Sequence, residues 1–225
     1  MEPSRLKKKK LYFVLIIAYF VLGYFFCNLF NMDRSSYFDV ALPFEADIPF
    51  IPFFILGYIS VYASLIILYA AIDDYDVFIR AIRFFFILST VHFILFLLIP
   101  VRIDRPDLAG TTGIMNVLTR YYYLIDNPVN CFPSLHVAYP LGGTLVMWNY
   151  KRPYGYVMAI FTAWIAVSVV LVKQHYIMDI AGAVVATFFC YAAGLLLNRK
   201  LRASQGIGLT TSLASSSNLS NSCLK

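Results

Sequence analysis

Two histidines and an aspartate stand out in a chain that is otherwise strongly apolar. His175 and Asp179 are four residues apart at the start of an apolar segment, a spacing that puts both side chains on one face of a helix. The carboxylate can then accept a hydrogen bond from one imidazole nitrogen, which makes the other nitrogen a better nucleophile or base. Because helix N-termini also favour acidic residues, an interfacial histidine beside a helix-capping aspartate explains this pair equally well.

His136 ends a second polar sequence, Pro133-Ser134-Leu135-His136, which also begins an apolar segment. Proline suits the first turn of a helix, where free N–H groups and the positive end of the helix dipole favour an anion. Ser134 can add a hydroxyl donor, and His136 can protonate a leaving oxygen. Taken alone, this sequence is better explained as a helix cap with an interfacial histidine.

Three cations are candidates for binding a phosphate beside these histidines: Arg102, Arg105 and Lys173. The planar guanidinium of arginine matches phosphate with two parallel hydrogen bonds, whereas lysine acts as a compact charge. Basic residues at the ends of apolar segments ordinarily reach for lipid headgroups, and this explanation is preferred for Arg34 and Arg120. For Arg105 a functional role is favoured.

The composition indicates that membrane helices position these residues. The chain is 60% hydrophobic and 13% charged, whereas soluble domains are about 45–50% apolar and about 25% charged. Membrane helices need about 20 mostly apolar residues each, and six such segments are predicted at 11–30, 51–72, 84–101, 135–150, 154–172 and 176–197. The predicted fold class is therefore all-α, a polytopic membrane protein with six transmembrane helices.

The predicted domain organisation is one membrane domain over residues 1–202 and a tail over 203–225. The first span is interpreted as retained, because it is long for a signal peptide and no small-residue cleavage site follows it. The fourth span has 16 residues, roughly 24 Å of helix against a hydrocarbon core of about 30 Å, so His136 is expected to lie below the membrane surface. The tail is rich in Ser, Thr and Asn and is predicted to be disordered and cytoplasmic.

The distribution of basic residues predicts the orientation. With a cytoplasmic N-terminus, 13 of the 18 Lys and Arg residues fall on the cytoplasmic side, as the positive-inside rule requires. Both termini are then cytoplasmic, and the candidate residues all fall on the extracytoplasmic face: Arg102, Arg105, Ser134, His136, Lys173, His175 and Asp179. This shared face favours one site. The net charge of +6 follows from the same orientation signal, and no basic, aromatic-interleaved module indicates nucleic-acid binding.

Other polar residues of the apolar segments are expected to be structural. His92 lies in the middle of the third span and is interpreted as a neutral core histidine hydrogen-bonded to a neighbouring helix. The four cysteines, Cys27, Cys131, Cys190 and Cys223, show no metal-ligand spacing. A disulfide between Cys27 and Cys131 is conceivable because both lie near one membrane face.

At the candidate residues the sequence resembles the type 2 phosphatidic acid phosphatase superfamily, whose membrane members have six spans and an extracytoplasmic site. The motifs occur here in the family's order: Arg105-Pro106, Pro133-Ser134-Leu135-His136, and Ser168 with His175 and Asp179. The form Phe132-Pro133-Ser134-Leu135-His136-Val137, followed by Gln174-His175-Tyr176, looks more like the inositol phosphorylceramide synthase-like branch.

The resemblance implies the chemistry of the site. A nucleophilic His175, oriented by Asp179, attacks phosphorus to give a phosphohistidine, and His136 protonates the departing alcohol and then activates water or an acceptor alcohol. The substrate is a lipid phosphate or phospholipid in the bilayer, and no cofactor or metal is required. The residues predicted to bind the substrate are Arg102, Arg105, Ser134 and Lys173.

The chain departs from the family pattern at three positions. The expected lysine is Leu98, the glycine is Leu135, and the arginine after the motif serine is Val169. Two phosphate-binding cations of the typical phosphatase are therefore missing, and the hypothesis is that Arg102 and Lys173 replace them. Whether hydrolysis or headgroup transfer to an alcohol completes the reaction stays open, as do the lipid donor and the oligomeric state.

Two rival interpretations use the same residues. In one, the protein is a lipid or small-molecule carrier and these residues form its binding site; the lack of an internal repeat counts against it. In the other, His136, His175 and Asp179 bind a metal ion, although the chain has no HExxH-type spacing.

Overall fold

Helices make up most of the chain. The structure, a computed structural model, describes residues 2–204, and their side chains as far as residue 198. The described part contains seven α-helices: α1 Pro3–Met32, α2 Ile55–Ala71, α3 Tyr75–Leu98, α4 Ile114–Ile125, α5 Leu135–Trp148, α6 Arg152–Leu171 and α7 Ile177–Ser204. No strand occurs within residues 2–204, so the all-α prediction is confirmed. From residue 205 onward, the predicted tail lies outside the described residues.

Among the described residues, five segments are long and apolar enough to cross a membrane: Pro3–Met32, Pro52–Ala71, Tyr75–Leu98, Arg152–Leu171 and Ile177–Asn198. This confirms a multi-pass membrane protein and is one span fewer than the predicted six. The predicted span that is not among these five is α5, because it has only 14 residues, roughly 21 Å of helix. The orientation of the helices and the cytoplasmic position of the termini stay predictions.

Helix α5 lies at the centre of the bundle and packs against α2, α3, α6 and α7. Two glycines allow this close packing, because a Cβ atom at Gly142 would lie 2.7 Å from Phe84 and one at Gly143 would lie 2.6 Å from Met158. Small residues at helix interfaces serve this purpose in membrane proteins. The first turn of α5, which carries His136, is therefore held inside the bundle.

Helix α1 lies at the edge of the bundle and packs along α3. Its Tyr19 hydroxyl hydrogen-bonds the Thr90 hydroxyl over 2.8 Å, and Asn31 donates to the Phe96 carbonyl over 2.8 Å. Toward α2 the packing is open, and apolar side chains of both helices line one cavity. The loose fit of α1 therefore creates space beside the catalytic candidates.

Helix α4 lies in a segment, residues 102–133, that the sequence analysis treated as a loop. Its exposed apolar side chains recur at helical spacing: Ile114, Val117, Tyr121, Leu124 and Ile125. The opposite face packs Met115, Leu118 and Tyr122 against the core. This periodicity marks an amphipathic helix, and its short length explains why a search for membrane spans missed it.

Candidate active site

His175 and Asp179 form the hydrogen-bonded pair that their spacing predicted. His175 Nδ1 lies 3.2 Å from Asp179 Oδ2, and the same oxygen accepts the Tyr176 N–H over 2.8 Å. Both side chains are buried. The carboxylate therefore assigns the imidazole proton to Nδ1 and leaves the Nε2 lone pair for another partner.

The segment before α7 is anchored so that this pair is held in place. The backbone N–H groups of Gln174 and His175 both donate to the Val169 carbonyl, over 2.8 and 3.1 Å. The buried Glu45 carboxylate accepts the Ile177 N–H at the start of α7, where a negative charge is favoured. Glu45 is therefore a supporting residue that was not among the candidates predicted from the sequence.

Lys173 lies in this segment, at φ 49°. Its Nζ donates to the Glu45 carbonyl over 3.1 Å, and its side chain does not line the cavity beside His175. The predicted substrate-binding lysine is therefore hydrogen-bonded to the loop that anchors α7.

His136 lies opposite His175, in the first turn of α5. The two ring centroids are 5.6 Å apart, and the His136 ring stacks on Tyr58 of α2 at 4.3 Å. The Ser134 N–H donates to the Asp179 carbonyl over 3.1 Å, which joins the start of α5 directly to the start of α7. The structure thus brings both predicted histidines and the aspartate into one site.

Ser134 itself is fully buried, and its hydroxyl has no partner among the described residues. It does not line the cavity. Ser134 therefore occupies the N-cap position of α5 without a side-chain capping hydrogen bond.

Arg105 is the predicted cation that reaches the site. Its guanidinium donates to the Asp126 carbonyl over 2.7 Å and to Gln174 Oε1, and it lies over the Tyr123 ring at 4.5 Å. Burial raises the pKa of Tyr123 to about 12 despite the opposing effect of Arg105. By contrast, Arg102 is exposed beside the Tyr37 ring and does not line the cavity.

A cavity of about 350 Å³ joins the two histidines to the α1–α2 interface. Its polar end is lined by Arg105, Asp126, Asn127, Asn130, His136, Gln174 and His175. The rest of its wall is aromatic and aliphatic and extends along the bundle as far as Phe13, Tyr69 and Phe78. The cavity therefore matches an amphiphile, a ligand with a polar head and a long apolar body.

Asp126, Asn130 and Gln174 are polar lining residues that the sequence analysis did not select. Asp126 accepts hydrogen bonds from the hydroxyls of Tyr24 in α1 and Tyr58 in α2. These partners are more than 60 residues away in the chain, so no local spacing reveals them. Gln174 adjoins a motif histidine, which was the one available signal.

Among the described residues, His92, Cys27 and Cys190 do not line the cavity, whereas Cys131 does. His92 is buried, as expected, but Nδ1 pairs with the Leu88 carbonyl of its own helix over 2.8 Å rather than with a neighbouring helix. Cys27, Cys131 and Cys190 are buried free thiols, so no Cys27–Cys131 disulfide is present. Cys223 lies outside the described residues.

One group of side chains has the geometry of a metal site. Ligand atoms of Cys131, His175 and Asp179 lie within 4.8 Å of one another. Metal ligation requires a thiolate, whereas burial raises the pKa of the Cys131 thiol well above its ordinary value. Its Sγ–H also donates to the Pro128 carbonyl over 3.6 Å. The donor set therefore fits a cation poorly.

The fold and the site together define a multi-pass membrane protein with two opposed histidines at the polar end of an apolar cavity. The family model described as PAP2 superfamily matches residues 28–193, a range that includes every predicted site residue. The chain therefore belongs to the PAP2 superfamily, which confirms the resemblance at that level and supports a phosphatase-type function on lipid phosphates. Searches of curated proteins and of solved structures found no match.

Proposed function

We propose that the protein is a membrane enzyme that cleaves a lipid phosphate ester through a phosphohistidine at His175. The observation that carries this proposal is the opposed pair His136 and His175, with ring centroids 5.6 Å apart. The Asp179 hydrogen bond to Nδ1 directs the Nε2 lone pair of His175 toward a substrate. One phosphoryl group between the rings contacts both of them, which is the proximity that catalysis requires.

In the first step, His175 Nε2 attacks phosphorus and the bond from phosphorus to the lipid alcohol oxygen breaks. A protonated His136 gives its proton to that departing oxygen, acting as general acid. Asp179 stabilises the positive charge that develops on His175 during the attack. The products of this step are the lipid alcohol and a phosphorylated His175.

In the second step, the neutral His136 acts as general base. It takes a proton from a water or an acceptor alcohol, whose oxygen attacks phosphorus while the bond to His175 Nε2 breaks. From a phosphate monoester, water releases inorganic phosphate and an alcohol gives a new monoester. From a phosphodiester, the headgroup stays on the phosphorus bound to His175, so water releases the headgroup phosphate and an alcohol gives a new phosphodiester. Both outcomes share the first step, so the proposal covers phosphatase and headgroup-transferase activity, including transfer like that of inositol phosphorylceramide synthases.

Arg105 is proposed as the principal phosphate cation, because its guanidinium lines the cavity beside His175. The earlier hypothesis gives this role to Arg102 and Lys173 as well. Charge-removing changes at those two positions test it. Activity that survives both changes would leave Arg105 as the cation of the site.

The lipid tails are proposed to occupy the apolar part of the cavity between α1 and α2. This placement is supported by the aromatic and aliphatic wall that continues from the histidine pair toward Phe13 and Tyr69. A substrate diffusing in the bilayer then brings its phosphate to the end of the bundle that holds the site, which the positive-inside rule predicts to be extracytoplasmic.

Metal independence is part of the proposal, and chelation tests it. Incubation with excess chelator is expected to leave turnover unchanged. Loss of activity that one added divalent ion restores would instead favour a metal site that includes His175 and Asp179.

Turnover of defined lipids tests the proposed function. Purified protein is incubated with lipid phosphate monoesters and phosphodiesters, with and without acceptor alcohols, while mass spectrometry follows free phosphate and new headgroup lipids. We expect product with wild type and none with His175→Ala. A protein that moves labelled lipid across vesicle membranes as well with His175→Ala as without it, and makes no product, would be a carrier.

A further inference from the structure

We propose that the side-chain amides of Asn130 and Gln174 bind the phosphate and form, with Arg105, a cradle that carries a single positive charge. This inference rests on the function proposed above and names further residues of the same site. It starts from two residues that line the polar end of the cavity, Asn130 and Gln174. Their side-chain nitrogens, Asn130 Nδ2 and Gln174 Nε2, are buried and have no partner among the described residues.

The orientation of the Gln174 amide follows from its neighbour. Arg105 donates to Gln174 Oε1, and a guanidinium has donors only. The atom that faces Arg105 must therefore be the amide oxygen, and the NH₂ group must point away from it. Gln174 is 2% exposed and lines the cavity, so its unpaired NH₂ group is shielded from bulk solvent at the polar end of the cavity.

The orientation of the Asn130 amide follows from a chain of hydrogen bonds that also begins at an arginine. Arg34 Nε donates to Asn31 Oδ1 over 2.7 Å, which fixes the oxygen of Asn31. The Nδ2 of Asn31 then donates to Asn130 Oδ1 over 2.6 Å. The NH₂ group of Asn130 is consequently the free end, in a residue that is 3% exposed.

Two buried N–H donors without partners are costly to the folded protein. Asn130 also has a left-handed backbone, at φ 60°, a conformation that non-glycine residues adopt rarely. Backbone strain that reduces the stability of the folded protein is concentrated at functional sites. Acceptor oxygens of a bound phosphate would satisfy both donors, because a phosphate presents several strong acceptors at once.

The charges of the lining give the cradle its selectivity. Among the described side chains, Arg105 is the cation and Asp126 the carboxylate that line the cavity. Leu98, at the position of the missing motif lysine, is 66% exposed and lies outside the lining. Amide donors without charge bind phosphate oxygens but do not neutralise a second negative charge, which is expensive to bury unpaired. The cradle therefore favours an ester that carries one negative charge over one that carries two.

Donor-removing and charge-adding variants test the cradle. Gln174→Met and Asn130→Leu remove the donors at similar volume, and Gln174→Glu also adds a negative charge beside Arg105. The substrates are a diacylglycerol phosphate and its methyl diester, which share the leaving alcohol. The assay runs at about pH 8, where the monoester is doubly charged because its second pKa is about 6.

The control is Asn28→Leu. Asn28 is a buried amide of α1 whose polar atoms also lack partners among the described residues, but it does not line the cavity. Each donor-removing variant is expected to lower kcat/KM about 10- to 100-fold, whereas the control stays near wild type. Gln174→Glu is expected to lower kcat/KM for the monoester at least about 10-fold more than for the diester.

The outcomes separate this inference from the proposed function. Wild type that turns over neither ester contradicts the proposed function itself. An active wild type with Gln174→Met and Asn130→Leu both resembling Asn28→Leu overturns the cradle alone. An unchanged monoester-to-diester ratio in Gln174→Glu overturns the single-charge selectivity. If Asn130→Leu fails to fold, Gln174→Met and Gln174→Glu still decide the result, because the backbone N–H groups of Gln174 and His175 donate to the Val169 carbonyl whatever side chain residue 174 carries.

Discussion

The two ends of the helix bundle use polar residues in opposite ways. At the end without the histidines, Lys151 Nζ lies 2.9 Å from Asp73 Oδ2, and the Tyr150 hydroxyl donates to the other oxygen of that carboxylate. Lys9 donates to the Ile72 and Tyr69 carbonyls at the end of α2. Each of these polar groups has a protein partner.

At the histidine end, by contrast, several buried polar groups lack protein partners among the described residues, among them atoms of Arg105, Asn130 and Gln174. Salt bridges on the surface add little to stability, whereas unpaired buried groups reduce it. We therefore infer that the polar groups at the first end stabilise the bundle, whereas those at the second end bind a ligand.

The largest effect is expected for the histidine that forms the covalent bond. His175→Ala should lower kcat at least about 10⁴-fold, because the nucleophile is lost and cannot be replaced by water in the same position. The measurement is lipid phosphate turnover by detergent-purified protein. Residual activity within about 10-fold of wild type would exclude His175 as the nucleophile.

Arg105→Lys should lower kcat/KM about 10- to 100-fold, because an ammonium cannot reproduce the planar contacts of the guanidinium to phosphate, Gln174 and the Asp126 carbonyl. Arg102→Lys is the matched control, since Arg102 is an exposed arginine outside the cavity. Equal losses in both variants would place the phosphate nearer to Arg102 than we propose.

Tyr58 should contribute to the position of His136 by stacking. Tyr58→Leu removes both the stacked ring and the hydroxyl that donates to Asp126, and it should lower kcat about 10-fold with little change in KM. Tyr24→Phe removes only a hydroxyl donor to the same carboxylate and should have a smaller effect. Recovery of activity in Tyr58→Phe would identify the ring as the important group, and no recovery would identify the hydrogen bond.

The smallest effect on activity is expected at the other end of the bundle. Hydrogen bonds from Tyr150 and Lys151 lower the pKa of Asp73 from 3.8 to about 2. The stability that this carboxylate contributes is therefore present above pH 3.8 and is lost as the pH falls through about 2. Asp73→Asn should leave turnover unchanged and flatten the acid limb of the thermal unfolding profile. A loss of turnover in Asp73→Asn would show that the end of the bundle without the histidines also affects catalysis.

The sequence predicted the parts of the fold and site that local patterns encode. Apolar length located the membrane helices, and the four-residue spacing of His175 and Asp179 predicted their hydrogen bond. Helix α5 ends at Trp148, two residues before the predicted end of the span, and its two glycines let it pack closely within the bundle. Helix α4 was missed because 12 residues are too few for a span.

The lining of the cavity depends on contacts between distant parts of the chain. Asp126 reaches the site only because Tyr24 and Tyr58 converge on it from two helices. Asn130 depends on Asn31, 99 residues away. Lys173 looked like a phosphate ligand by charge and position, but its contact with Glu45 is visible only in three dimensions.

The most direct test of the account is to trap the covalent intermediate. Protein is mixed with a ³²P-labelled aryl phosphate ester and denatured at alkaline pH, where the phosphorus–nitrogen bond survives, and the labelled peptide is identified by mass spectrometry. We expect the label on His175, none in His175→Ala, and more label in His136→Ala, because the aryl leaving group needs no acid whereas release of the phosphate still needs the base. Continued turnover with label on another residue, or with no labelled residue in His136→Ala, would contradict the account.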